Sequence, residues 1–146
     1  MAAIPPPPAA WIARAQALGL NHDESILFEV MTNFLTFSDE QYMTLRDQGG
    51  YGTLRDLNQW SYKDIRQWCT TMSTRPINRG GRTFGDLKIR QLQGLAWWVT
   101  DCRLRSKPLN VDEYKADEEA YRLNAEMDYR ESKADAVTVD KPSKFE

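Results

Sequence analysis

Histidine is almost missing from this chain and cysteine is little better represented, with one and two copies among 146 residues. A solitary His22 leaves no imidazole cluster for a metal and no histidine-activated nucleophile. Cys69 and Cys102 form no close pair of the kind zinc or dithiol redox chemistry uses, and they read as buried, idle thiols. No stretch approaches the roughly 20 apolar residues of a membrane span. The opening MAAIPPPPAAWIARAQALGL has neither the basic lead nor the unbroken apolar run of a secretory signal. A soluble intracellular protein, cytoplasmic or nuclear, is the expectation. No segment alternates polar and apolar residues well enough to argue for a strand.

Charge of one sign is also lacking overall, at a formal net of -2, yet the charges segregate along the chain. Met72 to Lys107 holds eight Lys or Arg against two Asp, and Val111 to Asp135 holds nine acids against four bases. Such a division suggests two surfaces with different partners, or two halves that attract each other.

Helical punctuation is abundant. Pro5 to Pro8 favour polyproline II, either as a ligand for an aromatic groove or as a stiff exposed tail. Trp11, Ala15 and Leu18 then share a face of a short helix ending at Gly19. Ile26, Leu27, Val30, Met31, Phe34 and Leu35 form a buried face on the next. Cap pairs follow at Asn21 with Glu24, Ser38 with Gln41, Thr53 with Asp56, Ser61 with Asp64, Thr83 with Asp86 and Asn110 with Glu113. Each contributes about 1 kcal/mol. Together they cut the chain into helices with short joints, so the class is all-α.

The stretch RDQGGYGTLRDLNQWSYKDIRQW reads as a helix end at Gly49 or Gly50, a short helix with Leu54 and Leu57, and a helix striped by Ile65, Trp68, Cys69 and Met72. That order suits a small helix-hairpin-helix or SAM-like bundle. The bundle is expected over 21-107, after a Pro-rich tail and short helix over 1-20. A charged, acidic helix over 108-135 and a disordered tail over 136-146 follow.

A long helix runs from about Phe84 to Ser106, with Leu92, Leu95, Ala96, Val99 and Cys102 inward and Trp97, Leu104 and Arg90 on the other side. The acidic helix carries a narrow stripe of Ala116, Ala120, Leu123 and Met127. It reads as a lone solvated helix, a cover for the Trp97 side or a self-association seam. Trp97, Leu104, Leu123 and Met127 are the candidate protein-interface residues.

Two glycine-bearing segments bear on chemistry. Gly80 and Gly85 have the Walker A spacing, but Asp86 and Leu87 stand where Lys and Ser or Thr belong, and no strand precedes them. The same loop, STRPINRGGRTFG, carries Arg75, Arg79 and Arg82, with backbone N–H groups at the following helix start as an anion site. Lys88, Arg90, Arg103, Arg105 and Lys107 extend the charge along the helix. These eight cations are the candidate contacts to RNA or DNA phosphate, without base reading and with steep salt dependence. The alternative is that they solubilise a loop and pair with the acids at Asp112 to Glu119. Catalytic residues, metal ligands, cofactors and a small-molecule substrate are not expected.

Gln48-Gly49, Leu54 with Leu57, Asp64, Cys69, Arg75-Pro76, and Leu92 with Leu95 and Trp98 stand in an order that resembles the N-terminal Gag-like region of copia-type retrotransposon polyproteins, over roughly residues 34 to 110. The resemblance implies a non-enzymatic structural protein that assembles with itself and packages RNA. The other reading is a SAM-like protein-interaction adaptor that binds no nucleic acid.

Overall fold

The computed structural model describes residues 9–145, with side chains over 11–133. The Pro5 to Pro8 run lies outside them. Every regular element among the described residues is helical, so the protein is all-α. The order is α1 (Ala9–Ala17), α2 (His22–Glu29), α3 (Asp39–Gly49), α4 (Tyr62–Thr74), α5 (Asp86–Leu104), α6 (Val111–Ala116) and α7 (Glu118–Phe145). A π-helical turn, Val30–Phe34, continues α2, and 3-10 turns occupy Leu54–Leu57 and Ile77–Arg79.

Most caps form as their spacing predicts. Asn21 with Glu24, Ser38 with Gln41 and Thr53 with Asp56 are reciprocal capping boxes. Ser61 accepts from Asp64 N–H, and Asn110 from the N–H groups of Asp112 and Glu113. Gly50, at φ 78°, supplies the left-handed residue that closes α3. The expected Thr83 cap does not form. Gly85 is the N-cap of α5, and the Asp86 carboxylate is held by Arg66 and Arg90 at 3.0 Å each.

The core is one apolar cluster, running from Trp11 and Ala15 through Leu27, Phe28, Tyr42, Leu57, Ile65, Cys69 and the inward stripe of α5 to Val111 and Tyr114. Burying side chains of this size contributes about 1.5–3 kcal/mol each. Tyr42 is fully buried because its hydroxyl donates to the carbonyl of Gly52 at 2.8 Å, a partner that satisfies the one polar atom on the ring.

The C-terminal part departs from expectation twice. Asp117 (φ -126°, ψ 26°) breaks the acidic segment into α6 and α7 instead of a single helix. Beyond Ala136, where disorder is expected, α7 continues to Phe145. A helix already nucleated extends one hydrogen bond per residue, although Pro142 near its end has no N–H to add one.

Candidate nucleic-acid interface

The loop between α4 and α5 is closed by its own backbone. Arg79 and Gly81 N–H donate to Pro76 O at 2.9 and 3.0 Å, Gly80 N–H to Ile77 O at 3.1 Å, and Arg82 N–H to Met72 O at 3.0 Å. Phe84 N–H donates to Ser73 Oγ across the neck of the loop. The paired glycines exist for this closure. Gly80 is left-handed at φ 88°, and a Cβ on Gly81 would stand 1.8 Å from the Arg75 carbonyl oxygen. The loop's own N–H groups at Arg79, Gly80, Gly81 and Arg82 are thus engaged by carbonyls, whereas the N–H groups expected to meet an anion are those at the start of α5. At the helix start, Asp86 occupies the first turn of α5 and opposes an anion there.

The eight candidate cations divide by location. On the loop, Arg75 and Arg79 are exposed and Arg82 is half-buried, and none forms an ion pair among the described residues. Arg75 reaches only the Gln48 amide oxygen, at 3.4 Å, and Arg82 the Gly81 carbonyl, at 2.9 Å. Arg82 also lines an open cleft of about 250 Å³ with Asp39, Glu40 and Asp47, so its charge is the most nearly balanced of the three.

On α5 and beyond, the cations are largely engaged. Arg90 pairs with Asp86, Arg105 with Asp101 and Lys107 with Glu113, at 3.0, 3.0 and 3.1 Å. Lys88 donates to the Leu35 carbonyl and Thr36 Oγ1 and lies 5.0 Å from the Phe37 ring centre. It caps the carbonyl end of the π-helical turn, and burial lowers its pKa. Lys88 is thus a structural cation, not a free phosphate contact. The reason lies in the fold: Thr36 is left-handed at φ 62°, which leaves the preceding carbonyl open to a charged donor. Arg103 stays exposed and without an ion pair among the described residues.

The protein-interface candidates also separate. Trp97 is half-buried under α7, where its indole N–H donates to Asp128 at 2.6 Å and its ring stacks 5.9 Å from Tyr121. Trp97 is therefore covered by the chain itself. Helix α7 docks through Tyr121, Arg122, Ala125 and Asp128, with Arg122 lying so close to Gly94 that a Cβ there would meet its backbone at 2.9 Å. Ala120, Leu123 and Met127 face away from Ala125, half a turn round the helix, and remain exposed; Ala116 on α6 is exposed as well. Leu104, at 78 % exposed, is the most exposed large apolar side chain on α5.

Lys107 with Glu113 is the one ion pair among the described residues that joins the basic block to the acidic one. Their union is mostly apolar and aromatic instead, with Trp98, Tyr114, Tyr121 and Trp97 meeting at centroid distances of 5.1 to 6.4 Å. The acidic segment thus packs on α5 without neutralising the loop arginines.

Both cysteines are buried and free, and burial pushes the Cys69 thiol up to about 12. Among the described residues no group of three His, Cys, Asp or Glu side chains is placed to hold a metal, and no helix is long and apolar enough to cross a membrane.

One feature beside the loop was missed by reading single helices. Tyr51, Trp60 and Trp68, all half-buried, form an aromatic cluster at the glycine turn, with Tyr51 and Trp60 stacked at 3.7 Å and 13°. The signal for it was three aromatics at 51, 60 and 68 around the short helix after the glycine turn; the helical stripes leave out Tyr51 and Trp60 and count Trp68 only as part of the inward face of α4.

Comparison with known proteins adds no relative: no family model, no curated protein and no solved structure matches the chain.

Proposed function

We propose that the protein is a non-enzymatic binding and assembly module that holds nucleic acid through the phosphate backbone, with Arg75 and Arg79 as the principal contacts and Arg82 beside them. One observation carries this reading: among the described residues the loop cations have no carboxylate partner, whereas Arg90, Arg105 and Lys107 do. An unpaired guanidinium on a rigid, exposed loop binds phosphate without first breaking an internal ion pair. The assembly half of the reading draws on the likeness to Gag-like regions and on the open Leu123 and Met127 edge of α7, at 55 and 56 % exposed.

Salt-titrated binding of a single-stranded RNA is the test. R75A/R79A/R82A lowers affinity on the order of 10- to 100-fold at low salt, and flattens the log–log salt slope by about 2, near 0.7 for each phosphate contact removed. R105A/K107A changes both far less. Affinity unchanged in the triple variant would refute the nucleic-acid reading and favour the protein-interaction adaptor. For assembly, sedimentation of the full chain at high concentration gives species larger than a monomer, and L123E/M127E removes them. A strict monomer refutes self-association.

A further inference from the structure

The loop arginines and the aromatic cluster are physically continuous. Gln48 touches both Arg75, through its amide oxygen, and Gly80, where an added Cβ would lie 2.5 Å from the Gln48 side chain. The next residue, Gly49, backs directly onto Tyr51 and Trp68, with 2.7 and 3.0 Å to an added Cβ. At the neck of the loop, Phe84 lies 5.6 Å from Trp68. Trp60, Tyr51 and Trp68 therefore form a half-exposed ledge at the glycine turn, and the buried ring of Phe84 joins it to the base of the arginine loop.

The surrounding charges sort the two ends. Arg55 and Lys63, also without ion pairs among the described residues, stand in sequence four residues after Tyr51 and three after Trp60. Burial raises the Tyr51 phenol, and the nearby Asp64 carboxylate raises it further. That negative charge disfavours a phosphate on the ledge itself; because Tyr51 and Trp60 already cover one face of each other, an uncharged base can stack only on the outer, part-exposed side of the cluster.

From this juxtaposition we infer that the ligand class is single-stranded nucleic acid, with phosphates on Arg75 and Arg79 and unpaired bases stacked against the Trp60, Tyr51 and Trp68 ledge. The inference rests on the nucleic-acid reading above and deepens it. A base in a duplex already has both faces covered by its neighbours, so only an unpaired strand gains the ledge. Phosphate contacts alone make no such distinction.

The experiment compares three ligands of about 12 nucleotides on the full chain at low salt, by fluorescence anisotropy: oligo-uridine RNA, an abasic ribose-phosphate strand and an RNA duplex. Oligo-uridine binds about tenfold more tightly than the abasic strand, the equivalent of one stacked base. The duplex gains no more than the abasic strand. In W60L, the oligo-uridine advantage falls to about twofold while abasic binding is unchanged; R75A/R79A lowers both equally. The wild-type contrast between strands stands whether or not W60L folds. Equal affinity for all three ligands overturns the ledge and leaves a phosphate-only site. No binding to any of them overturns the parent reading as well.

Discussion

Two regions built from the same residue types behave in opposite ways. The α4–α5 loop is closed largely by backbone hydrogen bonds, so its three arginines form no ion pair among the described residues. The α5–α7 seam is closed by side chains: Trp97 is tied to Asp128, Tyr121 stacks on it, and the nearby cations pair with carboxylates a turn or so away. The difference teaches that a count of basic residues says little about a binding surface. What matters is whether the backbone or the side chains hold the segment together, because a charge used for packing is already neutralised.

Five substitutions test that division, the first with the largest effect. Gly81→Val drives a side chain into the Arg75 carbonyl and should cost about 3 kcal/mol in urea unfolding, with loss of RNA binding. Gly85→Ala, which has open space around it but puts alanine at the N-cap of α5, should cost no more than about 1 kcal/mol. Equal effects would mean that the loop is not held as described.

Gly94→Leu wedges α7 away from α5 and should cost about 2 kcal/mol. It accelerates thiol labelling of Cys102, which lies on α5, while Cys69, held at about 12 beside the loop, stays slow. RNA affinity is unchanged. If affinity falls as well, the two regions are one unit and the comparison breaks.

Trp97→Phe keeps a ring in the seam but deletes the donor to Asp128, at a cost of about 1 kcal/mol in the same unfolding assay. The smallest effect concerns the brace behind the ledge, where Arg46 holds Glu24 at 2.9 Å beside Gly52. The hydrogen bond from Arg46, with that from Asn21 N–H, holds the Glu24 carboxyl below its ordinary value. Its stabilising contribution is therefore complete above the unfolded glutamate value of about 4.3 and is lost as pH falls through the lower folded value. Urea midpoints taken between neutral and acid pH should show this loss in the wild type and a flatter profile in E24Q.

The local elements were legible in the sequence to the extent that their signals are local. Five of the six cap pairs form, since each needs only a side chain three residues from an N–H. Thr83 failed because α5 begins two residues later at Gly85 and the Asp86 carboxylate is taken up by Arg90, four residues on, and by Arg66 from α4. The apolar stripes of α4 and α5 were likewise readable, and Ile65, Cys69, Leu92, Leu95, Val99 and Cys102 are all buried. The stripe read on the acidic helix was not the docking face. Ala120, Leu123 and Met127 stay outside because Tyr121 and Ala125 offer the better fit to Gly94 and Trp97.

By itself the chain's order of residues determined an all-helical protein, most of its helix starts, the glycine that ends α3 and the inward faces of its central helices. These follow from forces acting over three to seven neighbours. Tertiary structure alone decided which arginines remain unpaired among the described residues, that Lys88 caps a distant turn and that Tyr51, Trp60 and Trp68 gather beside the basic loop. Each depends on where carbonyls, carboxylates and rings from remote segments arrive, and both electrostatics and stacking are set by distance through space.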